Sequence, residues 1–332
     1  MKRSIILFIV LAMISLIAMP MFAGGQTEEA VSGDEVTMMF MPGVADPFYY
    51  MMEKGIKAKA EELGVNLIVA EFPKSWGPEA QVPILEATAA RGGIDMILIA
   101  PTSVDALVTP LKKLYDEGIE IITVDTFLGD GNYAVDSEYS FPLSYIGSDN
   151  EKGGKEIADE LASLIGESGK VYVNTTNPDV SSVAGRVRGF KDGITEYPNV
   201  ELVGIDYNLD VQQKATDQTL AALQKEPDIV GIFATNVFSS QGAYQAVVNA
   251  GLTGAVKIAT WDATVDMINA LRKGEVDLVL AQKPYEIGSL AVEWGYKYLT
   301  AGTEIPKKVI PGFEFFTQAN VDDPDMDQFI YK

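Results

Sequence analysis

A chain of 332 residues is long enough for two domains of ordinary size, and 47% hydrophobic residues can give each a core, which excludes disorder as its general state. The formal charge is −22, from 25 basic against 47 acidic residues, with no histidine and no cysteine. That balance repels nucleic acid and anionic lipid, and it excludes Ser-His and Cys-His nucleophiles together with the commonest metal ligand.

Lys2 and Arg3, an apolar run over 5–19, and Met21-Phe22-Ala23 before Gly24 follow the order of a secretory signal peptide. The run is short for a membrane span. The sequence therefore predicts a signal peptide over 1–23, a flexible acidic segment over 24–34, and export to the periplasm. With no lipobox cysteine, the expected product is soluble rather than lipid-anchored.

From residue 36 onward, short apolar runs alternate with helix-like segments. Strands are predicted at 36–41, 66–70, 96–100 and 121–124, and helices at 48–63, 81–91 and 104–117. Gly64 suits a helix C-cap, and Gly92-Gly93 a helix stop. Residues 71–78, which carry Trp76, and 127–143 read as loops. A brief strand at 144–147 precedes a helix capped by Asp149 or Asn150 and running to 165. The alternation then restarts, with strands at 170–174, 200–207, 229–234, 256–260 and 278–281 and helices at 182–196, 211–224, 239–250, 264–273 and 285–299. A last strand is predicted at 313–317, and the acidic 322–327 stretch reads as solvated and without a site. Two βα series with a break near Gly147 give an α/β protein of mainly parallel sheets with helices on both faces.

Many of the apolar runs stop at a residue suited to hydrogen bonding. Asp125 ends Ile121-Ile122-Thr123-Val124, and Asn236, Asp262 and Gln282 each end a strand. A charge at the tip of a strand buried on both faces is costly unless paired, and in an open α/β sheet that tip faces the ligand crevice. Asp46, ahead of Pro47-Phe48-Tyr49, and Arg186, near the start of a helix, complete the set. Carboxylates accept, guanidinium donates, amides do both, and aromatic rings cover C–H faces, which together suit a polyhydroxyl ligand. Alternatives stay open: Asp46 and Asn236 also suit helix caps, Arg188 is placed as well as Arg186, and Phe48, Tyr49 and Trp76 suit a core. Asp125 with Asp262 is the one carboxylate pair worth weighing for acid–base chemistry. Gly129-Asp130-Gly131-Asn132-Tyr133-Ala134 fits a dinucleotide fingerprint in letters alone, because no helix pattern follows it.

In these residues the chain resembles the type I periplasmic sugar-binding proteins of ABC importers, the ribose/galactose group. The pieces are Asp46-Pro47-Phe48-Tyr49, the 121–125 strand, Ile146-Gly147-Ser148-Asp149-Asn150 and Arg186-x-x-Gly189-Phe190, followed by Phe233-Ala234-Thr235-Asn236, Ile258-Ala259-Thr260-Trp261-Asp262 and Ala281-Gln282-Lys283-Pro284. Together they span roughly 35–317, and their order and spacing are specific. The resemblance implies two doubly wound parallel-sheet lobes joined by three hinge crossovers. An N-terminal lobe would take 35–147 and 283–311, and a C-terminal lobe 148–282 and 312–332. It implies ligand contacts at Asp46, Phe48, Tyr49, Asp125, Arg186, Asn236, Asp262 and Gln282, with Arg186 favoured over Arg188. Thr126 and Trp76 join this set, Thr126 standing where an arginine is frequent and Trp76 as apolar cover. Ala100 where asparagine is frequent, and Leu209 where an aromatic ring often covers the sugar, argue further against plain ribose.

The expected function is capture of a monosaccharide or sugar-like polyol by a monomer that delivers it to an ABC importer permease, with no catalysis, metal or cofactor. A sensory receptor presenting the same ligand to a chemoreceptor is the alternative. A carbohydrate-active enzyme using Asp125 and Asp262 is the third reading.

Overall fold

The structure, a computed structural model, describes residues 36–332. The expected signal peptide and the 24–34 segment lie outside the described residues. The first series of elements is β1 (Thr37–Met41), α1 (Pro47–Leu63), β2 (Asn66–Val69), α2 (Pro78–Ala89), β3 (Met96–Ile99), α3 (Val108–Asp116), β4 (Glu120–Val124) and β5 (Ser144–Ile146). The second is α4 (Asn150–Leu164), β6 (Gly169–Thr175), α5 (Ser181–Ile194), β7 (Val200–Tyr207), α6 (Gln212–Lys225), β8 (Ile229–Ala234), α7 (Val237–Ala250), β9 (Lys257–Trp261), α8 (Val265–Arg272) and β10 (Leu278–Gln282). It is followed by α9 (Pro284–Ala301), β11 (Lys308–Val309), β12 (Phe313–Phe316) and a 3-10 turn over Pro324–Phe329.

The strands form two six-stranded sheets, ordered β11-β5-β4-β3-β1-β2 and β12-β10-β9-β8-β6-β7. All neighbours pair in parallel except β10 with β12, which is antiparallel. The two orders are the same if β1 to β5 and β11 are laid on β6 to β10 and β12, so β4 in one lobe corresponds to β9 in the other. The chain passes between sheets three times: after β5, after β10, and between β11 and β12. Helix α9 returns to pack on α1, and α4 packs on α5.

The pleat assigns the core. In β1, Met38 and Phe40 join one apolar cluster while Met39 and Met41 join another on the opposite face. β3, Met-Ile-Leu-Ile, is buried at every position, as expected for a parallel strand covered by helices on both sides. One apolar cluster runs through both lobes, and within it Phe48 of α1 meets Tyr331 edge to face with ring centroids 6.0 Å apart.

Some expected elements are shifted or were not foreseen. Helix α2 starts at Pro78 rather than 81, because proline suits the first helical turn. Helix α3 starts at Val108 rather than 104, because the Ser103 hydroxyl accepts the Asp105 and Ala106 N–H groups and holds a turn there. β11 is two residues long and pairs only through β5, too short to carry a pattern. After the acidic stretch, Ile330 and Tyr331 are buried.

Helix pairs approach closely enough to require glycine. A Cβ on Gly154 of α4 would collide with the Arg186 carbonyl of α5, and one on Gly189 with the Glu151 carbonyl. Gly154→Ala is therefore expected to force α4 and α5 apart and destabilise the protein by about 1–3 kcal/mol. Thermal unfolding measures this, and an unchanged midpoint would contradict the close approach.

Candidate functional site

Asp125 and Asp262 occupy matching positions, one residue past β4 and one past β9. Both have left-handed backbone, with φ of 60° and 78°. Aspartate visits this region more readily than most residues, though at some cost in strain. Each is tied to its own sheet: the Asp125 N–H donates to Ile146 O at 3.0 Å and the Asp262 N–H to Leu280 O at 2.8 Å. At Asp125 the chain also turns sharply, with the Thr126 N–H donating to Val124 O at 2.6 Å. These turns aim both carboxylates away from their sheets and into one shared cavity.

The two acids are held differently. Oδ2 of Asp125 accepts the Tyr49 hydroxyl at 2.7 Å, and Oδ1 lies 4.0 Å from Nη2 of Arg186 in the other lobe. Oδ1 of Asp262 accepts the Gln282 amide at 2.8 Å and the Tyr331 hydroxyl at 3.2 Å. The Tyr331 hydroxyl in turn accepts the Gln282 N–H at 2.9 Å.

Arg186 is 2% exposed and its orientation is fixed from three sides. Nε donates to Asn150 Oδ1 at 2.9 Å, Nη1 donates to Thr235 O at 2.7 Å, and the guanidinium lies over the Trp261 ring at 4.2 Å from its centroid. Nη2 is left facing Asp125 and the cavity. Arg188 is exposed and paired with Glu151 at 2.7 Å. Burial thus separates the two arginines, with Arg186 at the cavity and Arg188 at the surface.

For Asp46 and Asn236 the two alternatives hold together. Asp46 caps α1 by accepting the Tyr49 N–H at 2.9 Å, and Asn236 caps α7 by accepting the Ser239 N–H at 3.2 Å. Both also line the cavity, as do Phe48, Tyr49, Trp76 and Gln282. Trp76 stacks on Tyr49 with centroids 6.3 Å apart, and its indole N–H donates to Thr102 O at 3.0 Å. Thr126 is not brought to the cavity. It is fully buried and its hydroxyl donates to Pro101 O at 2.8 Å, so it braces the turn behind Asp125.

Several contributors were not foreseen. Asp210 and Thr176 line the cavity, and Tyr331 supports Asp262 from behind. Asp210 lies shortly after β7 and could have been found by the strand-tip rule that found Asp125. Tyr331 carries no comparable signal, since only the folded chain brings it under β10.

Four carboxyls, those of Asp46, Asp125, Asp210 and Asp262, therefore share a cavity with one guanidinium. Burial pushes Asp125 up to about 6 against the opposing pull of Arg186 and the Tyr49 hydroxyl. Burial likewise lifts Asp210 to about 6 and holds Asp46 well above the ordinary carboxylate range. Asp262 is raised by burial, with Arg186 as the main opposing influence. Burial also keeps the Tyr49 hydroxyl protonated, which suits it as the donor to Asp125. Among the described residues no group of three or more acidic side chains is arranged to hold a metal ion, and no helix is long and apolar enough to cross a membrane.

A carboxyl raised in the folded state binds its proton more tightly there than in the unfolded chain. Its contribution to stability is therefore full below the unfolded value and is lost as pH rises from about 4 through about 6. Asp210→Asn removes this loss while retaining an oxygen to accept from Asn236. The variant's thermal midpoint relative to wild type, without ligand, is expected to be higher at pH 7.5 than at pH 5. Thermal unfolding at the two pH values checks this, and a difference independent of pH would contradict it.

Residues 37–304 match the family model described as a periplasmic binding protein domain. The chain is 28% identical over 286 residues to a ribose import binding protein of Haemophilus influenzae, an alignment covering 86% of this chain and 92% of that one. It is 26% identical over 275 residues to the D-allose-binding periplasmic protein of Escherichia coli, covering 82% and 86%. Among solved structures, it resembles an ABC transporter solute-binding protein from Agrobacterium vitis bound with alpha-D-tagatopyranose, with 40% identity and a TM-score of 0.87. That likeness covers 90% of this chain and 100% of the other.

Proposed function

The chain belongs to the type I periplasmic sugar-binding proteins of ABC importers, and from that premise we propose that it captures a monosaccharide or sugar-like polyol between its lobes and hands it to an importer permease. The observation that carries this reading is the matched placement of Asp125 and Asp262, one from each lobe, facing one cavity beside the fixed guanidinium of Arg186. Such groups accept hydroxyl hydrogens from both sides of a small molecule, so a ligand that engages them joins the lobes. Hinge bending would open and close the cleft, and the ligand would favour the closed form because only there do both lobes reach it.

Asp46, Asp125, Asn236, Asp262 and Gln282 supply the acceptors and amides, Arg186 the fixed donor, and Phe48, Tyr49 and Trp76 the apolar walls. A micromolar site needs about −8 kcal/mol net, within reach of several hydrogen bonds to charged groups worth about 1.5–3 kcal/mol each. The excess of carboxyls over cations disfavours sugar acids and sugar phosphates, whose charge would meet like charge in a dry cleft. Capture without turnover, a periplasmic location and a permease partner are parts of the same reading. The Agrobacterium vitis protein bound with tagatopyranose makes ketohexoses a natural first group to try.

Thermal unfolding across pentoses, hexoses and polyols tests this. A true ligand raises the wild-type midpoint by mass action, about 2.7 kcal/mol of stabilisation at a hundred times its Kd. Arg186→Ala is expected to fold and to lose that shift. A variant that shifts as wild type does would contradict the assignment of Arg186, and conversion of the sugar to product would contradict capture without catalysis.

A further inference from the structure

Asp210 and Thr176 line the cavity yet stand outside the system formed by Asp125, Arg186, Asp262 and Gln282. The backbone that presents Asp210 is unusual. Leu209 and Asp210 both have left-handed φ, 57° and 62°, which two non-glycine residues in succession adopt only when the surroundings hold them there. Asn208, fully buried, provides much of that hold. Its Nδ2 donates to Asn174 Oδ1 at 2.6 Å and to Ser239 Oγ at 2.7 Å, while its Oδ1 accepts the Asp210 N–H at 2.7 Å. The Leu209 N–H donates to Thr176 O at 2.9 Å, joining the two cavity residues through the backbone.

The side chains at this spot are left incomplete. Asn236 donates to Oδ1 of Asp210 at 2.6 Å, and among the described residues no protein group donates to Oδ2. Thr176 is 4% exposed, and its hydroxyl is buried with no hydrogen-bond partner. A buried hydroxyl without a partner destabilises the fold unless a ligand supplies one. Leu209, at the position where the family resemblance places an aromatic ring over the sugar, is 55% exposed and does not line the cavity. No ring at 209 therefore fills the space beside Asp210.

We propose that Asp210 and Thr176 form a subsite for one further ligand hydroxyl, which makes the cleft select a six-carbon sugar or polyol over a five-carbon one. This rests on the interlobe-capture reading. A hydroxyl placed there donates to the free oxygen of Asp210 and accepts from Thr176, so both protein groups are satisfied at once. A pentose leaves Thr176 and the second oxygen of Asp210 without that partner, and sites built around a hydroxyl discriminate strongly against analogues that lack it.

The test is calorimetric titration of wild type, Asp210→Asn and Thr176→Val. D-tagatose, D-allose and galactitol serve as six-carbon probes, and D-ribose, D-arabinose and xylitol as five-carbon probes. Wild type is expected to bind at least one six-carbon probe more tightly than every five-carbon probe. Each variant is expected to weaken that probe roughly 10- to 100-fold. Five-carbon affinities should change by less than about threefold, and the variants should unfold cooperatively without ligand. Equal losses for both classes would show a general positioning role and overturn the subsite, as would no loss or a wild-type preference for pentoses. A wild type that binds none of the six probes contradicts capture itself, and the subsite falls with it.

Discussion

The need to pair a carboxylate at the tip of a buried strand organises this molecule. Asp125 ends a strand covered on both faces, where an unpaired charge is costly. Its partners come from two places, the Tyr49 hydroxyl in its own lobe and the Arg186 guanidinium across the cleft. The Arg186 contact joins the two lobes, because Asp125 follows β4 of one and Arg186 lies on α5 of the other. Asn150, Thr235 and Trp261 fix the guanidinium within its own lobe, so it meets Asp125 without reorganising.

The repetition of strand order makes the cleft two-sided. β4 and β9 occupy equivalent places, and each ends in an aspartate with left-handed backbone. With Asp46 from one lobe and Asp210 from the other, closure brings together more negative groups than one arginine can offset. Hydroxyls that donate to these groups relieve that opposition, so the same feature that makes an empty closed cleft costly favours a filled one. On the proposed capture reading, a ligand would shift the population toward the closed form by its differential contact with the two states.

Much of this was legible in the sequence, for local reasons. β4 showed itself as a short apolar run ending in Asp125, and β9 ending in Asp262 repeated the pattern. The order of βα units fixed the fold class. What stayed hidden depends on contacts between distant residues. Arg186 and Arg188 sit two residues apart on one helix; the family spacing favours Arg186, but only the fold shows Asn150 receiving that one in the interior and Glu151 the other at the surface. Thr126 follows Asp125 in sequence, yet the turn that aims Asp125 inward aims Thr126 at Pro101. Asp46 and Asn236 could not be resolved as cap or cavity residue because each caps its helix and also lines the cavity. Tyr331 follows a solvated acidic stretch, and nothing local says that its ring meets Phe48 and its hydroxyl Asp262.

A crystal structure of the protein with its tightest-binding sugar tests the central claim most directly. The account predicts that sugar between the lobes, its hydroxyls within hydrogen-bonding distance of Asp125, Arg186 and Asp262 together. A sugar found instead in the hinge-side cavity lined by Tyr285 and Phe329, with Asp125 and Arg186 meeting only each other, would contradict it.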